Sequence, residues 1–508
     1  MVNTGTKTII IIGSGLAGLS AALEAAKIGA RALLVSSYPS ERAQSVMAAG
    51  GINAALDTAG EGDSPRLHCE DTLKSACGLA NADAVGAMTE AAPGIVAELY
   101  AMGVQFSMDG GNIALRAFGG QKKKRTAFAK SATGKQIMTS LIDAVRELEN
   151  DTVTRYPHHD FVTLLTDGKA CGGAVVRDRY TGVAEILRGD GVIMCTGGFH
   201  GLFAGTTGNN ENTGTAAAEL FRLGAAVANA EMVQYHPTCT ALSAGKRRLI
   251  SEAARGEGGR LFTVRNGRRV YFMEEKYPEL GNLMPRDIAS REIYSALREA
   301  PVYLDISFLP EKTLEGRLAE VLDTCRTYMG IDPAVEPIPV EPGIHYFMGG
   351  LKVDARHRVD GLDNVYAAGE CACMYHGANR IGGNSLLGAI YGGKIAARTA
   401  CEESSGASGA QAGTPLALGE AAEMRKLNGA ALGVVRDGQT MKSALARMEN
   451  LRGALPLLSC ALLKSAIARE ESRGAHYRSD FPERDGKFDG VTCARLTGGE
   501  IAVAFCKP

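Results

Sequence analysis

The stretch TIIIIGSGLAGLSAALEAAKIGARALLVSS, residues 8–37, decides the fold. An apolar run from Thr8 to Ile12 leads into the glycine turn GSGLAG (13–18). An alanine-rich helical pattern follows, and then a second apolar run from Ala32 to Val35. This order predicts a βαβ unit. Glycines at this spacing between a strand and a helix are typical of a dinucleotide site, because they let a pyrophosphate approach the N–H groups at the helix N-terminus.

The end of the second predicted strand favours FAD over NAD. An NAD site of this type carries a carboxylate there to bind the ribose, but Val35 is followed by Ser36 and Ser37. The unit therefore predicts an FAD site. The expected cofactor contacts within it are Gly13, Ser14, Gly15, Ala17, Gly18, Ser36 and Ser37.

Composition excludes several other classes of function. The 508 residues suffice for about three structural units. A net charge of −1 argues against nucleic acid as the main partner, since phosphate binding needs clustered positive charge. No apolar stretch approaches the roughly 18 residues of a spanning helix, so no membrane span is predicted. The twelve cysteines are scattered without a CxxC pair, which predicts no metal site and favours a reducing, cytoplasmic location.

A predicted strand followed by glycines occurs twice more, at residues 192–198 and 365–370. Between these two segments, charged and aromatic residues alternate, which indicates a domain inserted into the FAD-binding domain. Residues 402–415 are rich in Ser, Gly and Ala and are predicted to be a linker or exposed loop, and helical periodicity follows. The predicted fold class is α/β. A Rossmann-like FAD-binding domain (1–232 and 346–401) is interrupted by an α+β capping domain (233–345) and followed by a short C-terminal helical domain and tail (416–508).

Ten further motifs follow one another along nearly the whole chain. They are MAAGGINAAL (47–56), FGGQKKKRTAFAKSATG (118–134), CTGG (195–198), QYHPT (234–238), SEAARGEGG (251–259), PRDIASR (285–291), EPIPVEPGIHYFMGG (336–350), AAGE (367–370), HGANRIGGNSLL (376–387) and ESRGAHYRSDFPERD (471–485). In content and order they resemble the flavoprotein subunit of succinate dehydrogenase and fumarate reductase, with the L-aspartate oxidases as cousins. The resemblance implies an FAD-dependent oxidoreductase.

A small dicarboxylate needs a cationic or hydrogen-bonding group at each end, and arginine suits a carboxylate because its planar fork binds both oxygens. The resemblance implies that Arg380 and His345 hold one carboxylate, while His236 and the Ser251 hydroxyl hold the other. The predicted substrate-binding residues are His236, Ser251, His345, Arg380, Phe118 and Gly51.

Proton transfer is assigned to Arg286, which matches the catalytic arginine of the family motif PRDxxS. Arginine is a poor acid, so it needs a paired carboxylate and a route for re-protonation. Glu252 and Arg255, three residues apart, match the family relay. Because Arg286 lies in the predicted capping domain and Arg380 in the FAD-binding domain, closure of one on the other is expected to assemble the site and exclude water.

The remaining cofactor contacts also follow from the resemblance. Glu370 matches the acidic residue that holds the ribityl chain. Ser385 and Leu386 begin a helix aimed at the pyrimidine edge of the flavin, where a helix N-terminus stabilises the anionic reduced ring. The full set outside the first unit is Ser45, Ala49, Gly50, Gly51, Thr196, Gly197, Glu370, Ser385 and Leu386.

Three positions depart from the family pattern. Gln44 stands where the respiratory members carry the histidine that attaches the flavin covalently. A glutamine has no nucleophilic imidazole, which predicts noncovalent FAD and favours fumarate reduction over succinate oxidation. Thr215 replaces an aspartate at a cofactor contact. Phe347 replaces a threonine beside His345 and bears on the exact substrate.

The leading hypothesis is a fumarate-reductase-type flavoprotein that transfers hydride from reduced FAD to the double bond of a small dicarboxylate, converting fumarate to succinate. L-Aspartate oxidase, or a related enoate reductase with a different carboxylate substrate, is the alternative. The segment 118–128 lacks the acidic residue expected to bind an amino group, which counts against the oxidase. A non-catalytic flavin-binding or assembly subunit is a third hypothesis, and the complete set of residues at 236, 252, 286, 345 and 380 counts against it.

An electron-donating subunit or a diffusible reduced carrier is expected as partner. Through such a subunit the cytoplasmic protein would lie peripherally at the inner face of the membrane. The helical segment between Leu387 and Glu471 is shorter than in the respiratory subunits, which bears on docking to a standard iron–sulphur partner.

Overall fold

The computed structural model describes residues 6–130, 132–242 and 247–508. Its helices are α1 Leu16–Ile28, α2 Pro65–Ser75, α3 Ala82–Ala101, α4 Thr133–Glu147, α5 Thr215–Arg222, α6 Ala253–Gly256, α7 Phe272–Lys276, α8 Arg286–Leu297, α9 Ala319–Met329, α10 Asn384–Glu403, α11 Ala421–Ala431, α12 Gly438–Met448 and α13 Ala454–Ala468. Over the described residues, no helix has the length and apolar character that a bilayer crossing requires.

The strands are numerous and mostly short. The first thirteen are β1 Thr8–Ile12, β2 Arg31–Ser36, β3 Ile52–Asn53, β4 Met108–Asp109, β5 Asn112–Ile113, β6 Leu115–Arg116, β7 Thr126–Ala127, β8 Val153–Pro157, β9 His159–Asp167, β10 Ala170–Asp178, β11 Ala184–Arg188, β12 Gly191–Met194 and β13 Val227–Ala228. The others are β14 Val233–Ala241, β15 Arg247–Leu249, β16 Arg260–Arg265, β17 Arg268–Val270, β18 Val302–Asp305, β19 Ile338–Pro339, β20 Glu341–Phe347, β21 Gly350–Lys352, β22 Val365–Ala367, β23 Ala372–Cys373, β24 Gln411–Ala412, β25 Val491–Thr497 and β26 Glu500–Cys506.

A five-stranded parallel sheet carries the cofactor-binding turns. Its strand order is β22-β12-β1-β2-β8, with every neighbouring pair parallel. Ile9, Ile10 and Ile11 of the central β1 are fully buried, as expected for a strand covered on both faces. The sheet brings together the carboxyl ends of β1, β12 and β22, which lie far apart in sequence. The predicted α/β class is confirmed.

The middle of the chain has a hydrophobic core of its own. This core is formed by buried residues between Ile250 and Val340, contributed by α6, α8, α9 and the four-stranded sheet β17-β16-β18-β19. The long strand β14 pairs with β20 and β15 in a separate three-stranded sheet. That sheet presents the residues around His236 and His345 toward the cofactor-binding half. The domain boundaries drawn from the sequence stay predictions.

The C-terminal part contains three helices and then a β-hairpin that the sequence analysis did not assign. Helices α11 to α13 lie within residues 421–468, and β25 and β26 then pair through a turn at Gly498 and Gly499, both with positive φ. β25 joins the sheet β23-β21-β13-β25-β26. The alternating pattern around a Gly-Gly turn is the available sequence signal for this hairpin.

The segment predicted to be a linker or exposed loop is mostly exposed, but it is anchored to the rest of the chain. Within residues 402–415, Ser404 and Ala410 are buried. Gln411 and Ala412 form β24, which pairs with β9.

Candidate active site

One cavity of about 950 Å³ joins the glycine turns of the parallel sheet to the His, Arg and Glu cluster of the middle segment. This volume lies at the upper end of the range of roughly 300–1,000 Å³ for ligand pockets. All but two of the predicted site residues line it: Gly13, Ser14, Gly15, Ala17, Ser36, Ser37, Ser45, Ala49, Gly50, Gly51, Phe118, Thr196, Gly197, His236, Ser251, Glu252, Arg286, His345, Glu370, Arg380, Ser385 and Leu386. The other two, Gly18 and Arg255, support the wall from behind.

The first glycine turn leaves no room for side chains. Gly13 has φ +111°, and a Cβ added there would lie 2.1 Å from the carbonyl oxygen of Cys195. A Cβ on Gly18 would lie 1.8 Å from the carbonyl oxygen of Gly13. Gly18 therefore lets α1 pack closely on the turn, which is the role expected of the third glycine in a dinucleotide fingerprint.

Three helix N-termini open onto the cavity. The residues at or near these ends that line it are Gly15 and Leu16 of α1, Gly214 and Thr215 of α5, and Gly383 and Ser385 of α10. None of these helices carries an acidic residue in its first turn, so their N–H groups and partial positive charges remain available to an anion. The glycine turns, helix ends and cavity size fit a dinucleotide such as FAD.

Glu370 is held firmly at the wall of this cavity. Its Oε1 accepts a hydrogen bond from the Phe347 N–H at 3.0 Å and lies 3.3 Å from Nε2 of His200. A Cβ on Gly198 would lie 2.6 Å from the Glu370 carboxyl carbon, so a glycine is needed there.

Phe347 does not line the cavity. Its position beside His345 in the sequence had suggested an effect on the substrate. The ring is 2% exposed and packs against Phe199, Phe203 and His200, with ring centroids 5.1–5.6 Å apart. The replacement of the family threonine therefore acts on core packing behind Glu370 rather than by direct contact with a ligand.

Arg286, Glu252 and Arg255 form a buried chain. Arg286 donates to Oε2 of Glu252 through Nε (2.9 Å) and Nη2 (2.5 Å), and Arg255 Nη2 lies 3.2 Å from Oε1. Burial by itself would raise the pKa of Glu252, but the two guanidinium charges outweigh burial and keep this pKa below its usual value. Glu252 is therefore ionised.

The loop before α10 approaches this chain closely. A Cβ on Gly382 would lie 2.8 Å from both Arg286 Nη2 and Glu252 Oε2. The middle segment and the cofactor-binding half are thus in contact around Arg286.

Arg380 is a buried cation without a counter-ion among the residues that the structure describes. Its side chain is 3% exposed, its Nε has no hydrogen-bond partner, and its guanidinium lies 4.1 Å from the centroid of the Tyr346 ring. Burial, together with the charge of Arg286, lowers the pKa of Arg380 to about 9. A buried charge of this kind is costly unless an anion pairs with it, which points to an anionic ligand.

Two histidines face each other beside Arg380. The rings of His236 and His345 have centroids 5.1 Å apart, and His345 Nδ1 lies 2.8 Å from the Thr207 hydroxyl. Burial, reinforced by the surrounding positive charges, holds both pKa values well below 6.5. Both rings are therefore neutral at pH 7 and act as hydrogen-bonding groups rather than cations.

The four side chains of Arg286, Arg255, Arg380 and Glu252 carry a net charge of +2. Arg286, Arg255 and Arg380 contribute three positive charges, and ionised Glu252 contributes one negative charge. Arg286 and Arg380 line the cavity and Arg255 lies behind Glu252, so this group of four side chains, with the neutral histidines beside it, is complementary to a small dianion.

Comparison with known proteins agrees with this geometry. A family model described as "FAD binding domain" matches residues 8–386, and one described as "Fumarate reductase flavoprotein C-term" matches residues 453–505. The chain is 38% identical to the succinate dehydrogenase flavoprotein subunit of Bacillus subtilis (strain 168), over 94% of this chain and 92% of that protein. The chain belongs to the succinate dehydrogenase and fumarate reductase flavoprotein family. As predicted, this family member is an FAD-dependent oxidoreductase.

Other relatives and a solved structure show the breadth of the family. An L-aspartate oxidase of Streptomyces coelicolor is 34% identical over 94% of this chain and 89% of that protein. A fumarate reductase flavoprotein subunit of Mycobacterium tuberculosis is 34% identical over 95% of this chain and 93% of that protein. A structure of E. coli quinol fumarate reductase superposes with a TM-score of 0.89 at 27% identity, covering 99% of this chain and 97% of that chain.

The structure of this family member adds residues that the sequence analysis missed. His200, Thr207 and Asn212 line the cavity, and Gln234 contacts Arg286 from behind. Gln234 and Asn212 had a sequence signal, since they begin the motifs QYHPT and NTGT. The others lie in a loop whose path depends on tertiary packing.

Proposed function

We propose that this family member reduces the carbon–carbon double bond of a small dicarboxylate, with fumarate as the expected substrate and reduced FAD as the hydride donor. The observation that carries the proposal is the unpaired Arg380 within a cluster of net charge +2, on the cavity that also holds the dinucleotide turns. Two carboxylates would balance this charge.

The side chains divide the binding work between the two ends of the ligand. Arg380 and His345 hold one carboxylate, and His236 with the Ser251 hydroxyl holds the other. Both histidines bind as neutral groups, because burial keeps their pKa values well below 6.5. Reduced FAD, when bound, supplies a hydride from its N5 atom.

Arg286 supplies the proton that completes the addition. One hydride and one proton add across the double bond, and fumarate becomes succinate. Ionised Glu252 holds Arg286 in place at 2.5–2.9 Å, and Arg255 on the far side of Glu252 returns the proton from the protein side. A positioned acid of this kind contributes about 10²–10⁴ in rate.

The same geometry disfavours L-aspartate as substrate. An amino group would need an uncompensated carboxylate near Arg380 and Arg286. Glu252 is already bound by two arginines and by the Gly119 N–H at 3.1 Å, and Glu370 accepts a hydrogen bond from the Phe347 N–H at 3.0 Å. Ammonia or peroxide formation with L-aspartate, without fumarate reduction, would overturn the proposal in favour of the oxidase.

The proposal predicts a preferred direction. Without a covalent link at Gln44, the flavin is expected to have a low potential, so fumarate reduction by a reduced dye should be at least about tenfold faster than succinate oxidation, a difference of roughly 1.4 kcal/mol in barrier. Both initial rates should be measured on one enzyme preparation. Equal rates in both directions would contradict the argument from potential, and activity on another enoate alone would change the substrate.

We further propose that FAD is bound noncovalently. Gln44 lies at the cavity wall in a short 3₁₀-helix, Gln44–Met47, and its amide cannot attack the flavin. Acid denaturation should release all the flavin into the supernatant. Flavin fluorescence that migrates with the denatured polypeptide in a gel would contradict this prediction.

An external electron donor completes the proposal. Close relatives are named as flavoprotein subunits, which supports an electron-donating partner subunit here, and a diffusible reduced carrier is the alternative. Reduction of the purified flavoprotein by a small dye would show that the flavin is accessible without a partner.

A further inference from the structure

We infer that Gln234 is a positioning residue that locks the proton-donating face of Arg286 toward the cavity. The inference rests on the proposed function. Gln234 lies on β14, is fully buried, and accepts a hydrogen bond from Arg286 Nη1 at 3.1 Å. None of its atoms faces the cavity, so it acts only through its neighbours.

The orientation of the Gln234 amide is determined by its partners. Its Nε2 donates to two acceptors, Oδ1 of Asn379 at 2.9 Å and the carbonyl oxygen of Arg380 at 2.8 Å. Only the NH₂ group can donate twice, so the opposite atom is the oxygen, and it meets Arg286. One amide therefore connects the proton donor to the backbone of the carboxylate-binding arginine.

Gln234 prevents a rotation that Glu252 alone would allow. The two bonds from Arg286 to Glu252 converge on one atom, Oε2, and a single acceptor atom is a pivot. The hydrogen bond from Nη1 to Gln234 holds the other side of the guanidinium and prevents its rotation about Glu252 Oε2. Of the five N–H groups of an arginine, three are then engaged, and one on Nη1 and one on Nη2 remain for the ligand.

Asn379 continues this hydrogen-bond network from Gln234 to α8, across the contact between the cofactor-binding half and the middle segment. It accepts from Gln234 and donates through Nδ2 to Oδ1 of Asp287 at 2.9 Å. Asp287 follows Arg286 at the start of α8, so the hydrogen bonds close a ring that includes the backbone of the proposed proton donor. The ring forms only when α8 and the 379–380 loop are together, which couples closure to the position of Arg286.

The isosteric change Gln234→Glu tests the inference. A carboxylate would bind the Nη1 proton more tightly and could not donate to Asn379 or to the Arg380 carbonyl. We expect the single-turnover rate of flavin reoxidation by fumarate to fall at least about 30-fold, while the Kd of the unreactive dicarboxylate malonate, followed by flavin absorbance, changes less than about threefold. The solvent isotope effect on reoxidation should rise, because proton transfer becomes rate-limiting.

A matched control separates positioning from general damage. Asn428 on α11 is also a fully buried amide that donates to two acceptors, the Leu202 carbonyl at 3.0 Å and the Ser459 hydroxyl at 2.9 Å, and it does not line the cavity. Asn428→Asp should lower the melting temperature but leave the rate per bound FAD and the isotope effect unchanged. Asn379→Ala, which frees Gln234 without adding a charge, should lower the rate about 5- to 10-fold at unchanged malonate affinity.

Several results would overturn the inference. They are an unchanged rate in both Gln234→Glu and Asn379→Ala, a malonate Kd that weakens in proportion to the rate, or a wild-type crystal structure with malonate in which Arg286 has turned away from Gln234. The crystal structure does not depend on which variants fold. A wild-type protein that reduces no enoate would refute the proposed function alone, and the Gln234 variants would then be assayed with L-aspartate.

Discussion

Arg286→Ala should lower the rate of fumarate reduction at least about 100-fold while the content of bound FAD stays unchanged. Arg286 lies 6% exposed at the cavity wall and is bonded to Glu252, and a positioned proton donor of this kind contributes about 10²–10⁴ in rate. Steady-state kinetics with a reduced dye and the flavin absorbance of the purified variant provide the two measurements.

The control for this variant lies at the C-terminal end of the same helix. Arg298, the C-cap residue that follows α8, is exposed. Arg298→Ala should therefore leave turnover within about twofold of the wild type. Near-normal turnover of Arg286→Ala would show that another group, or a water molecule, donates the proton.

Arg380→Met should abolish dicarboxylate binding and stabilise the protein at the same time. The malonate Kd should rise at least about 100-fold, because the charge that the ligand neutralises is gone. The free energy of unfolding of the ligand-free holoprotein should rise by roughly 1–3 kcal/mol, since an uncompensated buried charge is removed. The methionine sulphur would still contact the Tyr346 ring. Equilibrium unfolding in urea and a malonate titration measure the two effects.

Arg125→Met is the control, and it should change the free energy of unfolding in the opposite direction. Arg125 is also fully buried, but its guanidinium pairs with Asp63 at 2.9 Å and with Asp71 at 3.0 Å, and both carboxylates are buried. Its removal leaves two buried carboxylates without a cation and should destabilise the protein by about 3–5 kcal/mol. If Arg380→Met destabilised the protein by a similar amount, Arg380 would be compensated by a group of the protein itself rather than by a ligand.

Local sequence determined the cofactor-binding turns and the type of chemistry. GSGLAG between an apolar run and a helical pattern predicted the strand, turn and helix that are present at Thr8–Ile28, because the positive φ of Gly13 and the close packing at Gly13 and Gly18 depend on the absence of a side chain. Arg286 and Glu252 were named from motifs that retain the same order along the chain. A hairpin at β25 and β26 went unassigned although its alternation and glycine pair were visible.

Only the tertiary structure decided which of these groups act on one another. Residues far apart in sequence meet in the site: the side chains of Asn53 and Asn384, 331 residues apart, are hydrogen-bonded at 2.7 Å. Sequence spacing carries no information about such contacts. The structure alone distinguishes Arg380, a cation without a carboxylate partner in the described chain, from the equally buried Arg125. The structure also shows that Phe347 packs in the core rather than at the cavity, and that Gln234 accepts a hydrogen bond from Arg286. The physical reason is that burial and charge compensation depend on neighbours from distant strands, whereas a glycine turn depends on its own backbone.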